Sequence, residues 1–421
     1  MMGAAAARAG LAYILTATAV AGVLGYVVQL SAGVLLVDPA RYVAFAGYWS
    51  LLYILVSAMS GVQQEVTRAT RPSDGVPDAR RTGSMRRFVL PLALVLLAVV
   101  SAITVAQSVS AGPRVGLATG AALLVGGIGY LAVAILSGVL YGVQIWVAAA
   151  ALTLADAAIR AVLVVTGLAF SWPQAVIELL ISVPFVLAAG LIWMIFRRRV
   201  AGRFIMDAGP RVLLRNTAHA VVASTAMGVM ITGLPLLLQG AFAGEPPLTT
   251  AGIIFAITIT RAPIVVPLQA LQSYLVSRLR DGASILPRRI LLLLGGATGA
   301  SILLGVIASV IGPPIISVLT GNRYEVNGAS VGVIVVGAAL VGMLTVTGAA
   351  LLSAAGHRPY SAGWVTAAVL TAVLLFVPLP MGMRLAAAML IPPAAGLLIH
   401  VTALLRTPSN TAAQGTPGRV R

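Results

Sequence analysis

The sequence predicts an all-α polytopic membrane protein, about 12 transmembrane helices in two similar six-helix bundles around a central cavity. Three observations lead there. Hydrophobic residues make up 60% of the chain and charged residues 9%, with a mean hydropathy of +1.04, values outside the range of soluble domains. The apolar residues collect into twelve stretches, most of them long enough to cross a hydrocarbon core of about 30 Å with some tilt. The first six stretches also resemble the second six.

The stretches are 11–37, 42–64, 88–110, 115–140, 146–168 and 174–196, then 217–240, 249–272, 290–311, 329–353, 361–379 and 384–405. The first is too long for a signal-peptide core and no convincing cleavage site follows it, so it reads as a retained helix. All 27 basic residues are arginine, and their placement sets the topology. With the N-terminus inside, 21 fall on inner segments, four on outer ones (Arg41, Arg114, Arg323 and Arg384) and two, Arg160 and Arg261, within spans. This asymmetry predicts a multi-pass protein with both termini cytoplasmic, and a composition rich in Arg, Ala, Gly and Val in place of Lys, Ile and Asn points to a GC-rich bacterial genome and so to the bacterial cytoplasmic membrane. The net charge of +17 is then a topology signal that also suits anionic lipid headgroups, not a nucleic-acid footprint.

Absent residue types exclude other classes. There is no cysteine, hence no disulfide framework or thiolate metal site. The absence of lysine excludes a Walker A loop. No HExxH helix and no Ser/His/Asp constellation is present, and His219, His357 and His400 are too scattered for a metal site. An enzyme is not expected, nor a cofactor.

The arginine-rich inner segment 197–215 divides the chain into halves, 1–205 and 206–421, the second ending in a short tail from about 407. At an offset of 210, Gln29 matches Gln239, and Thr18, Gly22 and Gly25 match Gly228, Thr232 and Pro235. The fourth and tenth spans end in LSGVLYG and LSAAGHR, and Trp146 answers Trp364. These matches favour two parallel repeats related by an axis along the membrane normal.

Spans one and seven each carry small and polar residues at helical spacing, Thr18, Gly22, Gly25 and Gln29 in one, Ser224, Gly228, Thr232, Pro235 and Gln239 in the other. The glycines suit close helix packing. Gln29 and Gln239 are costlier to bury and are cavity candidates. In span five, Asp156 and Arg160 stand at i,i+4 and can pair on one helix face. Alternatively, Asp156 pairs across the cavity with Arg261 until an anion displaces it. Glu65 and Glu178 lie near span ends, within reach of interfacial water.

Arg261 is the sharpest feature. It lies twelve residues from one end of span eight and eleven from the other, about 18 Å from either surface. An arginine at that depth costs about 2.5–3.5 kcal/mol on insertion scales, so it faces a partner helix, a water-filled cavity or an anionic substrate. Pro263 and Pro267 follow and loosen the backbone.

Twelve spans in two similar halves, the Arg261-Ala262-Pro263 sequence in span eight, and the short turns Tyr141-Gly142 and Ala355-Gly356-His357-Arg358 after spans four and ten resemble the multidrug/oligosaccharidyl-lipid/polysaccharide flippase superfamily. Within it the chain looks most like the bacterial polysaccharide-export, O-antigen-type flippases. The resemblance implies a MATE-like fold and the flipping of polyprenyl-pyrophosphate-linked oligosaccharide by alternating access, coupled to a proton or sodium gradient, for cell-envelope polysaccharide biosynthesis. It implies a lipid-linked saccharide and membrane lipids as partners, with envelope polysaccharide synthesis enzymes as further candidates. It places Arg261 on the phosphate, with Asp156, Arg160, Gln29, Gln239 and Arg41 as further candidates for substrate contact. The chain departs from the family in lacking basic residues in span one after Arg8. Two other functions compete. A multidrug or cation antiporter needs a carboxylate in the core of span one or seven, where none stands. A membrane glycosyltransferase or polymerase needs a sizeable external loop, and the outer loops are short. A scaffold that no longer transports is a further alternative.

Overall fold

The computed structural model describes residues 4–72, 79–261, 287–354 and 356–406. Thirteen helices run through them: α1 (Ala4–Leu35), α2 (Pro39–Ala69), α3 (Ala79–Ala111), α4 (Pro113–Gly142), α5 (Trp146–Ala169), α6 (Gln174–Val200), α7 (Pro210–Ile231), α8 (Leu234–Ala241), α9 (Pro247–Arg261), α10 (Pro287–Leu319), α11 (Gly328–Ser353), α12 (His357–Leu375) and α13 (Met381–Arg406). Nine of these are long and apolar enough to cross a membrane, ten if α7 and α8 count as one bent span. The chain is a multi-pass membrane protein. Each expected span falls on a helix, the eighth followed only as far as Arg261, since Pro263 and Pro267 lie outside the described residues.

Local chemistry explains where the helices begin. Asp38 caps α2, its Oδ1 accepting from the Ala40 N–H at 2.9 Å, with Pro39 in the first turn. Asn327 does the same for α11 through the Ala329 N–H at 2.8 Å. Both side chains satisfy a donor the helix leaves unpaired. Pro113 opens α4 after Gly112, whose φ of 95° suits a residue without Cβ.

The seventh span differs from expectation: it is not one straight helix. The chain bends by 66° between α7 and α8. Pro235 has no N–H to give the preceding turn. At the break the Thr232 and Gly233 N–H groups both bond the Gly228 carbonyl, at 2.8 and 3.0 Å.

Two compact units divide the fold. The first comprises Met1–Ile259 and Ile315–Val326, the second Thr260–Pro314 and Asn327–Arg421. This partition reflects packing, whereas the halves 1–205 and 206–421 concern internal symmetry, which packing does not address. In the first unit α2 is central and contacts α4, α6, α7 and α8, while α1 lies along α5 and α3 along α4. A Cβ on Gly61 would meet the Val221 backbone N at 2.6 Å, so α2 and α7 touch main chain to main chain. Tyr42, Phe255 and Tyr324 cluster with ring centroids 5.9–6.2 Å apart. Beside them Arg323 donates to the Leu36 carbonyl at 3.0 Å and the Val34 carbonyl at 2.5 Å, closing the C-terminal turn of α1. Burial pushes the Tyr324 hydroxyl above the usual phenol range, partly countered by Arg323.

One element was not visible in the sequence. Strand β1 (Thr70–Pro72), after α2, pairs antiparallel with β2 (Phe204–Met206), between α6 and α7, with Thr70 opposite Met206 and Pro72 opposite Phe204. The expected loop 197–215 therefore holds a small ribbon, extended by Asp207 N–H to Ala69 O at 2.9 Å and Arg71 to Asp207 at 3.1 Å. In the second unit α11, α12 and α13 pack on one another. The body of α10 meets α11 through Gly305 and Gly312, where a Cβ would press Val336 and Val331 at 2.6 Å.

Candidate functional site

Within the first unit the polar side chains gather around Arg160. This residue is 4% exposed on α5, and its guanidinium donates in three directions. Nη2 bonds the Asp156 carboxylate one turn earlier, Nη1 the Tyr53 hydroxyl of α2 at 2.7 Å, and Nε the Ile181 carbonyl of α6 at 3.0 Å. Pro184 supplies no N–H to the turn of α6 where that carbonyl sits. The guanidinium plane also lies 4.2 Å from the Phe185 ring centroid and 5.7 Å from that of Tyr53, which stacks on Trp49. Asp156 and Arg160 thus form the pair their spacing allows, and the pair ties α2, α5 and α6 together. Charge, planar fork and aromatic contact are all used, which is the context that favours arginine over lysine.

The other sequence candidates are dispersed. Arg41, in the first turn of α2, donates from Nη2 to the Trp172 carbonyl at 2.7 Å and so fastens the α5–α6 turn. Gln239 is half-buried on α8, its amide over Gly47 of α2, where a Cβ would collide with Oε1. Gln29 is half-buried on α1, the helix that lies along α5. Arg261 is the last described residue of α9, 7% exposed. It follows the run Ile253 to Ile257, which is buried throughout. A guanidinium there is held out of bulk water, the setting in which an anion contact is strongest.

Two carboxylates differ from expectation. Glu65 and Glu178 do not reach interfacial water; both are buried, at 6% and 5% exposure. Glu65 accepts from Arg68 at 2.6 and 2.8 Å and from Asn216 of α7 at 3.1 Å. Glu178 accepts from Thr119 of α4 at 2.9 Å and Gln174 at 3.1 Å. Their neighbours satisfy them where water was expected to. The i,i+3 spacing of Glu65 and Arg68 was a usable signal. Nothing local in the sequence announces Thr119 or Asn216.

The comparisons with known proteins bear on the whole chain. It is 32% identical over 417 residues to the uncharacterized protein Rv3630 of Mycobacterium tuberculosis, covering 96% of this chain and 94% of that one. It is also 32% identical over 418 residues to Rv1510 of the same organism, covering 96% and 93%. No protein-family model matches. Among solved structures, it is similar to a multidrug resistance MATE family transporter of the MOP superfamily in its outward-facing conformation, with TM-score 0.61, 12% identity, and 95% and 97% coverage. The inward-facing conformation matches with TM-score 0.61, 12% identity, and 92% and 96% coverage. A MOP superfamily transporter from Pyrococcus furiosus, described by a binding pocket of reverse polarity that suggests a different function, matches with TM-score 0.62, 14% identity, and 94% and 96% coverage. The fold is therefore that of the MATE transporters.

Proposed function

The chain belongs to the family of the mycobacterial proteins Rv3630 and Rv1510, and from that premise we propose that it is a transporter that flips an anionic, polyprenyl-pyrophosphate-linked oligosaccharide by alternating access. The observation that carries this reading is Arg261, a permanent cation buried in an otherwise apolar helix. A guanidinium offers two parallel donors to a phosphate, and removal from water strengthens each bond. The saccharide headgroup enters from the cytoplasmic face, where both termini lie, and the polyprenyl tail stays in the bilayer. Gln29 and Gln239 supply neutral polar contacts, and Asp156, Arg160 and Arg41 hold α2, α5 and α6 together, against which α1 and α8 pack. The fold supports the alternating-access part, since its MATE relatives occur outward- and inward-facing.

Export of a cationic drug is the second reading, and the same fold favours it equally. Such a substrate calls for an available carboxylate. Asp156 and Glu65 are each held by an arginine of their own helix, which weighs toward an anion, while Glu178, held by the neutral donors Thr119 and Gln174, is the carboxylate this second reading would use.

Translocation of a fluorescent polyprenyl-pyrophosphate oligosaccharide in proteoliposomes tests the reading, with wild type and Arg261→Gln side by side. A charge-assisted contact contributes about 1.5–3 kcal/mol, so the variant should flip about 10- to 100-fold more slowly while remaining folded. Equal rates in the two proteins would remove Arg261 from the mechanism. Cation efflux without saccharide flipping by wild type would replace the proposal with the second reading.

A further inference from the structure

Helices α11, α12 and α13 enclose a histidine to which the transport reading gives no task. His400 is fully buried on α13, six residues before Arg406 ends the helix, about 9 Å along the axis. Small residues make room for it. A Cβ on Gly363 of α12 would collide with Nε2, and one on Gly348 of α11 would come within 3.5 Å of Cε1. The imidazole stacks on Tyr360 of α12, with centroids 6.2 Å apart and planes at 17°.

Both ring nitrogens face oxygen. Nε2 is 3.2 Å from the Tyr360 carbonyl, and Nδ1 is 3.1 Å from the Thr347 hydroxyl of α11. A carbonyl only accepts, so Nε2 carries a hydrogen. Nδ1 has two satisfied states. With Nδ1 bare, the Thr347 hydroxyl donates to it. With Nδ1 protonated, Thr347 accepts and turns its own hydrogen to the Met343 carbonyl, already 2.9 Å away. A hydroxyl rotation is all that separates the two, and no heavy atom moves.

We propose that His400, the Thr347 hydroxyl and the Tyr360 carbonyl form a proton-binding site, with H⁺ itself as the ligand. The groups around the ring are Thr347 with the Met343 and Leu344 carbonyls from α11, Tyr360 and Gly363 from α12, and Gly396 from α13. Tyr360 is the titratable group in contact, and among the described residues no carboxylate or guanidinium lies against the imidazole. A bound proton therefore places an uncompensated charge where three helices meet. If the proposed transport function holds, this is where a proton gradient acts on the helices; proton binding itself does not depend on that reading.

The test uses full-length protein with ¹⁵N-histidine in lipid nanodiscs. The chain has three histidines, and the His400 resonances are those missing from His400→Gln, or those displaced in Thr347→Ser should His400→Gln fail to fold. Expected, as the pH is lowered from about 8 to about 4, is a conversion from a neutral ring protonated at Nε2 to a doubly protonated one. Thr347→Val removes the hydroxyl that accepts from the charged Nδ1–H, leaving the Leu344 carbonyl as its remaining acceptor, and should weaken proton binding by up to about tenfold, whereas Thr347→Ser should preserve it. Unchanged His219 and His357 signals report that each variant is folded. A His400 ring that keeps a single proton across the range overturns the proposal, as does a titration indifferent to Thr347→Val. No transport step enters the measurement, so failure of the flippase reading is separately visible.

Discussion

Replacing Arg160 by methionine tests the central reading of the first unit. The substitution keeps an unbranched side chain of similar reach but removes the donors to Asp156, Tyr53 and the Ile181 carbonyl. Asp156 has 16% of its side chain exposed and the arginine 5%, so little water can replace the lost partner. Removing one member of a buried ion pair costs about 3–5 kcal/mol. At roughly 2 °C or slightly more per kcal/mol for a domain of this size, Tm should fall by on the order of 10 °C. Intrinsic tryptophan fluorescence during heating reads this directly, since Trp49 stacks on Tyr53. The double variant Asp156→Leu/Arg160→Met removes the stranded charge and should recover most of the loss, because buried pairs and apolar substitutes differ by little. Two results would refute the reasoning: a single variant as stable as wild type, or a double variant no better than the single.

Three further outcomes follow from the packing. Gly61→Ala forces a Cβ against the backbone of α7 and should destabilise by about 1–3 kcal/mol, read as a lower Tm; an unchanged Tm would contradict the close approach. Tyr324→Phe removes a buried hydroxyl that has no hydrogen-bond partner among the described residues. It should leave stability unchanged or raise it by about 1 kcal/mol, and a loss of stability would reveal a partner. Arg323→Ala frees two carbonyls at the end of α1, so amide hydrogen exchange in the last turn of α1 and the following residues should accelerate about tenfold, for about 1.4 kcal/mol of local stability, while exchange in α5 is unaffected.

The membrane class and the helices were legible in the sequence because hydropathy is a long-range average that single residues barely disturb. The Asp156–Arg160 pair was legible because both partners sit on one helix, where spacing fixes proximity. What escaped notice depends on contacts between distant segments. Glu178 reads as a surface acid until α4 brings Thr119 to it, and the ribbon is two three-residue strands too short to show a period. Pro235 stood in the stripe of span seven, yet a proline alone does not give the size of the bend, which comes with the Gly233 N–H reaching back to the Gly228 carbonyl. His400 was read only as too isolated for a metal site, and the oxygens that meet it come from two other helices, which no local pattern announces.

The β1–β2 ribbon has a consequence for synthesis. Thr70 and Met206, paired across it, stand 136 positions apart in the sequence, and α3 to α6 all lie between the two strands. At about 5–20 residues per second of translation, the end of α2 waits roughly 7–27 s before its partner strand leaves the ribosome. Four helices must enter the bilayer in that interval with β1 still unpaired. Arrested chains released before residue 204 should therefore show an accessible protease site at Thr70–Pro72, and chains a few tens of residues longer should lose it, marking the moment at which the first six helices are tied off.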